Sequence, residues 1–153
     1  MSGALMGIST LTRSTKIDPT HSCFGLKVGR SKIQGWGVYA GERIPPGRKV
    51  IEYTGEKVLR SDEKRLDESL YLFILNDRWM IDGAVGGSGA ELINHSCDPN
   101  LMTRILKGHI LYFSRRWIQQ GEELTVDYNY DDTDDTIICH CGSKHCRGTI
   151  NLK

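Results

Sequence analysis

The chain has 153 residues, 39% of them hydrophobic and 25% charged, a composition that suits one soluble domain and excludes a disordered, fibrous or membrane protein. Twenty Lys and Arg against nineteen Asp and Glu leave a formal charge of +1, too balanced for a mainly electrostatic grip on nucleic acid or an anionic membrane. The longest apolar run, Leu70 to Leu75, is far too short for a membrane span, and residues 1–22 lack the charged start and apolar stretch of a secretory signal, so the chain reads as soluble and intracellular.

Residues 1–22 hold eight Ser or Thr and no sustained period, which predicts a flexible tail with the fold beginning near Cys23. From there the chain shows short β-prone runs broken by turn residues, at 24–28, 36–40, 49–58, 70–75, 78–82, 101–106, 109–114 and 123–128. Asn76-Asp77 and Lys107-Gly108 stand where two-residue hairpin turns belong, and Pro45-Pro46-Gly47 marks a third reversal. Two helical pieces are expected, over 61–69 with its capping residues and over 88–93 after the flexible Gly86-Gly87. The expectation is a single, mainly β domain without repeats.

Charge is distributed unevenly. Between Ile118 and Ile138 lie seven acidic residues (Glu122, Glu123, Asp127, Asp131, Asp132, Asp134 and Asp135) and no Lys or Arg, so near-neutrality is a cancellation of −7 against +8. Such a run is either a solvated loop or an electrostatic guide for a basic partner.

Five cysteines make an odd count, and three of them, Cys139, Cys141 and Cys146, crowd into eight residues. A bond between Cys139 and Cys141 would close a very tight ring, whereas thiolates this close can share one metal ion. Three thiolates are one short of a closed tetrahedral zinc site. The fourth ligand is Cys97, distant in sequence but set in the turn before Asp98-Pro99-Asn100, or else His140 or His145 nearby. Cys97 is preferred, because it would clamp the tail onto the middle of the domain and leave Cys23 as an ordinary thiol. The competing arrangement is a self-contained knuckle within residues 136–153.

Taken singly, Gly35-Trp36-Gly37 reads as a bulge beside a core tryptophan, and Asn94 to Asn100 (NHSCDPN) as turn punctuation. Their order carries more: GWG, IEYTGE (Ile51 to Glu56), LYLF (Leu70 to Phe73), ELINHSCDPN, GEELTVDYNY (Gly121 to Tyr130), then CHCGSKHCRG from Cys139. In that order the chain resembles the SET-domain protein lysine N-methyltransferases with a post-SET zinc segment, from about Phe24 to Asn151.

The resemblance implies a mainly β SET fold of small curved sheets, with a pseudoknot in which the strand carrying Tyr128 packs against the NHSC segment. It implies three parts: a tail over 1–22, a SET domain over 23–131 and a C-terminal zinc-bound post-SET segment over 132–153. The implied reaction is S-adenosylmethionine-dependent methylation of a lysine side chain in a histone or other basic protein, cofactor and lysine entering from opposite faces. Gln34, Gly35 and Trp36 resemble the first cofactor-binding turn, Tyr71 a position that helps hold the cofactor, and Asn94 and His95 the pair that meets its adenine and amino-acid portions. One structural zinc ion would sit on Cys97, Cys139, Cys141 and Cys146. Tyr128 resembles the active-site tyrosine and Tyr53 a second channel tyrosine.

Two departures matter. Val126 stands where many relatives carry Phe or Tyr and where side-chain size influences how many methyl groups are added. No cysteine-rich stretch precedes the domain, so a pre-SET cluster is not expected and histone specificity does not follow from the resemblance.

The chemistry suits these residues. A free lysine has a pKa of about 10.4, and an apolar channel beside a positive sulfur penalises its charged form without a dedicated base. Tyrosine rings exclude water and guide the aliphatic stem, while a hydroxyl such as that of Tyr128 orients the amine. The rival readings are a non-catalytic SET-like module that binds a basic peptide, and a zinc-anchored interaction domain with purely structural tyrosines. No direct nucleic-acid or membrane binding is expected. The compartment would be cytoplasmic in a bacterium and nuclear or chromosomal in a eukaryote, and Lys16, in Arg13-Ser14-Thr15-Lys16, is a candidate for self-methylation.

Overall fold

The structure, a computed structural model, describes residues 16–130 and 136–152. The mainly β expectation holds: the described residues form four small sheets, one short helix and one 3-10 turn. β1 (Leu26–Arg30) and β2 (Trp36–Ala40) make an antiparallel pair. β3 (Lys49–Tyr53), β9 (His109–Ser114) and β8 (Leu101–Leu106) lie in that order in an antiparallel sheet. β4 (Glu56–Leu59), β6 (Trp79–Asp82) and β5 (Leu72–Ile74) form the third sheet. The fourth is two residues wide: β7 (Asn94–His95) runs parallel to β10 (Thr125–Val126). Among the described residues no helix is long and apolar enough to cross a membrane.

The main core is drawn from several strands and from the connections between them. Val38 and Ala40 of β2, Val50 and Ile51 of β3, Leu101 of β8, Ile110 and Tyr112 of β9, with Ile44, Ile118 and Leu124 from the connections, are all buried in one cluster. Ile44 and Ile118 also exchange both backbone hydrogen bonds at 2.9 Å, which stitches the segments after β2 and β9 together. Lys107-Gly108 is the tight hairpin turn the sequence predicts, both residues having positive φ (50° and 80°).

Several elements differ from expectation, each for a local reason. The run at 49–58 is two strands in two sheets, broken at Thr54-Gly55. A Cβ at Gly55 would lie 2.2 Å from the Asp82 carbonyl oxygen, so the chain passes there only without a side chain. Asn76-Asp77 is not a two-residue turn. The Asn76 Oδ1 accepts from the backbone N–H of Arg78 and of Trp79, both at 2.9 Å, so its side chain closes a wider loop. The run at 123–128 keeps only Thr125–Val126 as strand, because β7 offers a two-residue partner.

The first helical expectation becomes Glu63–Glu68, capped by Asp62 and burying none of its residues, and the second becomes a 3-10 turn over Ala90–Leu92. That helix is tied down by Arg65, which bonds Asp82 at 2.9 Å and Glu56 at 3.2 Å. The tail also ends earlier than expected: Asp18 N–H donates to Ser88 O, Glu52 N–H to His21 O and Cys23 N–H to Val50 O, so residues 18–22 are part of the domain. Of the predicted tail, residues 1–15 lie outside the described residues. Cys23, read as an ordinary thiol, is free and exposed.

Asn100 fastens the crossing. Its Nδ2 donates to Glu123 O and its Oδ1 accepts from Thr125 N–H, both at 2.9 Å, while it is only 3% exposed. Asn100→Ala strands both backbone groups, and we expect it to lower unfolding free energy by about 3 kcal/mol, read as a shift in urea midpoint at unchanged slope.

Candidate active site and metal centre

The segment Asn94 to Cys97 is the hub of the site. β7 pairs Thr125 with Asn94 and Val126 with His95, and Ser96 N–H continues the contact by donating to Val126 O at 3.1 Å. The chain thus passes NHSC beside GEELTVDY in a register that fixes Asn94, His95, Cys97 and Tyr128 relative to one another.

On one side lies the turn before β2. The Asn94 Nδ2 donates to Trp36 O at 2.9 Å and Gln34 O at 3.1 Å, and also faces Glu123 Oε1 at 3.0 Å. Ser31 N–H donates to Gly35 O at 2.8 Å, closing the turn. Gly35 has φ 46° and a Cβ there would meet nothing in the chain within 4 Å, so its glycine is required by the backbone angle and leaves an open approach. Gln34 and Gly35 are exposed, and Trp36 is half covered, with the Arg30 guanidinium 4.3 Å from its ring centre.

On the other side lies Tyr128. Its hydroxyl donates to Ile93 O at 2.8 Å and its backbone N–H to His95 Nδ1 at 3.1 Å. Tyr53 donates its hydroxyl to Tyr71 O, which brings those two predicted residues together. The Tyr53 ring lies tilted 5.2 Å from Phe73 and edge-on 6.3 Å from Tyr112, and Tyr128 lies 5.5 Å from Tyr130. Burial, then the fields of neighbouring phenols and of Glu91, push Tyr53 and Tyr112 well above their ordinary pKa, Tyr128 being among those phenols. Burial first, then Tyr130 and Tyr71, raises Tyr128 as well, so all three remain neutral hydroxyls. Tyr53, Phe73 and Tyr112 form one aromatic cluster, and Tyr128 lies near enough to Tyr53 and Tyr112 to help raise both.

His95 does not offer its ring to a ligand. The imidazole is 3% exposed, and its Nε2 sits 3.4 Å from Cys97 Sγ while Nδ1 accepts from Tyr128. Burial lowers its pKa against the pull of Asp127, which leaves a neutral ring whose proton is on Nε2, aimed at the sulfur. Any part His95 plays toward a cofactor therefore falls to its main chain.

The structure brings Cys97, Cys139, Cys141 and Cys146 together, their sulfur atoms all within 4.8 Å of one another. Cys97 and Cys139 are 3.7 Å apart. The edge of a tetrahedron built from Zn–S bonds of about 2.3 Å is about 3.8 Å, so the four fit one zinc ion. His140 and His145, the alternative ligands, are exposed and outside the cluster. Burial pushes the Cys97 and Cys139 thiols up, whereas at Cys141 backbone and thiol hydrogen bonds outweigh that burial and pull it down. A cation among the sulfurs would favour their thiolate form. Backbone donors support the sulfurs: Cys141 N–H to Cys139 at 3.4 Å and Gly148 N–H to Cys146 at 3.3 Å.

A second tether joins the same parts. Arg147 bonds both Asp127 oxygens, at 2.7 and 3.2 Å, and also donates to Ile150 O at 2.6 Å. Leu152 N–H donates to Tyr130 O at 2.8 Å, so the tail returns to the residues just after Tyr128. Sequence reading singled out neither this pair nor Tyr112, Phe73 and Glu123 as site residues. Tyr112 sits in a run of three buried residues, Ile110 to Tyr112, which marks it as core and nothing more.

The acidic run is corrected in part. Glu122 pairs with Arg116 at 3.2 Å, Glu123 takes Ser31 and Asn94, and Asp127 takes Arg147, so these three are spent on internal contacts. A guiding role would rest on Asp131, Asp132, Asp134 and Asp135, which lie outside the described residues.

Residues 35–129 match the SET domain family model. The chain belongs to the SET-domain family. Histone-lysine N-methyltransferase set-2 of Caenorhabditis elegans is 39% identical over 138 residues, covering 82% of this chain and 9% of that protein. Histone-lysine N-methyltransferase TRX1 of Oryza sativa subsp. japonica is 41% identical over 139 residues, covering 82% of this chain and 14% of that protein. Among solved structures, KRYPTONITE in complex with mCHG DNA and SAH superposes with a TM-score of 0.73 at 32% identity, covering 84% of this chain and 29% of that one. KRYPTONITE with mCHH DNA, an H3(1-15) peptide and SAH gives the same TM-score at 31% identity, over 84% of this chain and 30% of that one. This SET domain thus spans less than a third of the length of each of these relatives.

Zinc ligation is testable directly. Cys97→Ser is expected to lose bound zinc on purification, measured by elemental analysis, whereas Cys23→Ser, His140→Ala and His145→Ala keep it. Full zinc in Cys97→Ser would return the site to a self-contained knuckle.

Proposed function

We propose that this SET domain is a protein-lysine N-methyltransferase that uses S-adenosylmethionine to methylate a lysine side chain in a basic protein, a histone tail being the favoured substrate class. One observation carries the reading: the NHSC segment touches the GWG turn through Asn94, the Tyr128 backbone through His95 and the cysteine cluster through Cys97. A cofactor site, a lysine channel and a structural metal are then three faces of one short strand. The domain runs from the residues near Asp18 to about 131, with the zinc-binding segment over 132–153.

Support for cofactor and substrate comes from the relatives. KRYPTONITE was solved with SAH and with an H3(1-15) peptide, and the curated relatives are histone-lysine N-methyltransferases of eukaryotes. That kinship supports a nuclear or chromosomal setting. The DNA in the KRYPTONITE complexes belongs to a protein of which this chain covers about 30%, so it assigns no DNA contact here.

S-adenosylmethionine supplies an electrophilic methyl group on a positive sulfur. Gln34, Gly35 and Trp36, with Asn94 and the main chain of His95, would hold it, and Tyr71 would add to its cover. Tyr53, Phe73, Tyr112 and Tyr128 would line the lysine channel, exclude water and disfavour the ammonium form of the incoming side chain. The Tyr128 hydroxyl, fixed by Ile93 O, retains lone pairs that can orient the amine. Zinc would be structural, because four thiolates leave no open position for water.

Two outcomes test this reading. Tyr128→Phe is expected to cut labelled-methyl transfer about a hundredfold or more while calorimetry shows unchanged S-adenosylmethionine affinity; retained turnover would remove Tyr128 from the mechanism. A chain that binds no S-adenosylmethionine at all would favour the non-catalytic peptide-binding module instead. Since burial keeps Tyr53, Tyr112 and Tyr128 protonated, kcat/KM should rise with pH as substrate lysine deprotonates, with no falling limb from a phenol.

A further inference from the structure

The 3-10 turn over Ala90–Leu92 carries a carboxylate into the interior. Glu91 is 8% exposed, between Ala90 and Leu92, both members of the apolar core cluster. Its two oxygens accept from Gly89 N–H, at 2.9 and 3.2 Å. Two glycines make room for it. A Cβ on Gly87 would fall 2.5 Å from Glu91 Oε1 and 2.3 Å from Gly83 O, and a Cβ on Gly83 would fall 2.7 Å from the Glu91 Cβ. Burying a charged group costs free energy that its apolar neighbours in the turn do not incur, and neither the cofactor turn nor the cysteine cluster uses it.

Glu91 stands behind the tyrosines. The same Cβ on Gly83 would lie 2.9 Å from the Tyr53 hydroxyl, so one glycine backbone separates Glu91 from the tip of that phenol. Tyr53 and Tyr112 both feel the charge: after burial and one neighbouring phenol, the field of Glu91 is the next cause that raises each of them. Asp82 acts on Tyr53 as well, but Arg65 bonds Asp82 at 2.9 Å and Ser69 Oγ donates to it at 2.6 Å, so that carboxylate is answered locally. Two residues beyond Glu91, Ile93 O receives the Tyr128 hydroxyl. One short segment therefore supplies both a negative charge behind Tyr53 and the anchor of Tyr128.

Resting on the methyltransferase reading, we propose that Glu91 is a specificity-determining residue: its carboxylate, set behind Tyr53 and Tyr112, draws the side-chain ammonium of the target lysine into the aromatic channel and selects it over a neutral side chain of the same shape. Aromatic rings fit a linear aliphatic stem with or without a charge at its end, and their own attraction for a cation is short-ranged. A carboxylate in a water-poor interior acts over a longer distance. The same field opposes loss of the ammonium proton before transfer, so Glu91 tightens binding of the charged peptide and slows its turnover.

The test compares two peptides that differ by one amine. The first is an H3(1-15) peptide or, if the chain labels a different lysine in nuclear extract, a peptide around that lysine; the second carries norleucine at the methylated position. Both are titrated by calorimetry into the zinc-loaded chain saturated with S-adenosylhomocysteine, and into Glu91→Gln and Glu91→Asp. Glu91→Gln keeps an oxygen for Gly89 N–H and loses the charge, whereas Glu91→Asp keeps the charge. The unmodified chain should prefer the lysine peptide by about fivefold or more. Glu91→Gln should lose that preference by weakening the lysine peptide alone, and Glu91→Asp should retain most of it. In steady-state assays Glu91→Gln should raise the peptide KM with kcat undiminished, a split that damage to the turn would not produce. Zinc content and thermal midpoint report whether each variant is folded. A preference unchanged in Glu91→Gln, or equal weakening of both peptides, would overturn the proposal and make Glu91 a support for its turn alone. If the unmodified chain labelled no lysine in the H3(1-15) peptide or in extract, the methyltransferase reading itself would fall, and this inference with it.

Discussion

The pairing of β7 with β10 is the constraint on which the site depends. It is two residues long and parallel, joining segments about thirty positions apart, and so short a ladder cannot hold itself together against the entropy of closing that loop. Neighbouring contacts hold it. Asn100 ties the backbone of Glu123 and Thr125 to the turn after NHSC, and Val38 O draws in Leu124 N–H at 2.7 Å. Once the register is set, Asn94 faces the GWG turn, His95 reaches the Tyr128 backbone and Cys97 meets the tail. A slip of one residue would reverse those directions.

The tail illustrates why a metal belongs in this fold. Ile137, Ile138 and Leu152 are exposed large hydrophobic residues, so the C-terminal segment buries too little apolar surface to be held by packing. Its order comes from polar and coordinate bonds: Asn151, 2% exposed, accepting from Ile137 N–H, Arg147 on Asp127, and the four sulfurs. The Arg147–Asp127 pair is adjacent in sequence to both Cys146 and Tyr128, and it joins the cysteine-rich segment to the residue preceding Tyr128. His95 makes the same connection from the opposite direction, its ring spanning the Tyr128 backbone and the Cys97 sulfur.

Much of this was legible beforehand, and the exceptions have physical causes. Strands such as β2, β3 and β9 were visible because short β-prone runs bounded by turn residues are a local property. The break at Gly55 was not, since the reason for it is an Asp82 carbonyl nearly thirty residues away. Asn76 looked like a turn residue, but whether its side chain or its backbone closes the loop depends on the position of Trp79. The acidic run read as one feature, yet Glu122, Glu123 and Asp127 each answer to a different partner.

The sequence by itself determined the family, the mainly β class and the chemistry on offer: closely spaced thiols, tyrosines in strands and glycines at a turn are properties of residue type and spacing. Tertiary structure alone decided which fourth cysteine joins the other three, and that the His95 ring turns inward while Asn94 bonds the turn before β2. These are distances between segments remote in the chain. No local propensity encodes them, because they are set by how the sheets close around the two-residue crossing of β7 and β10.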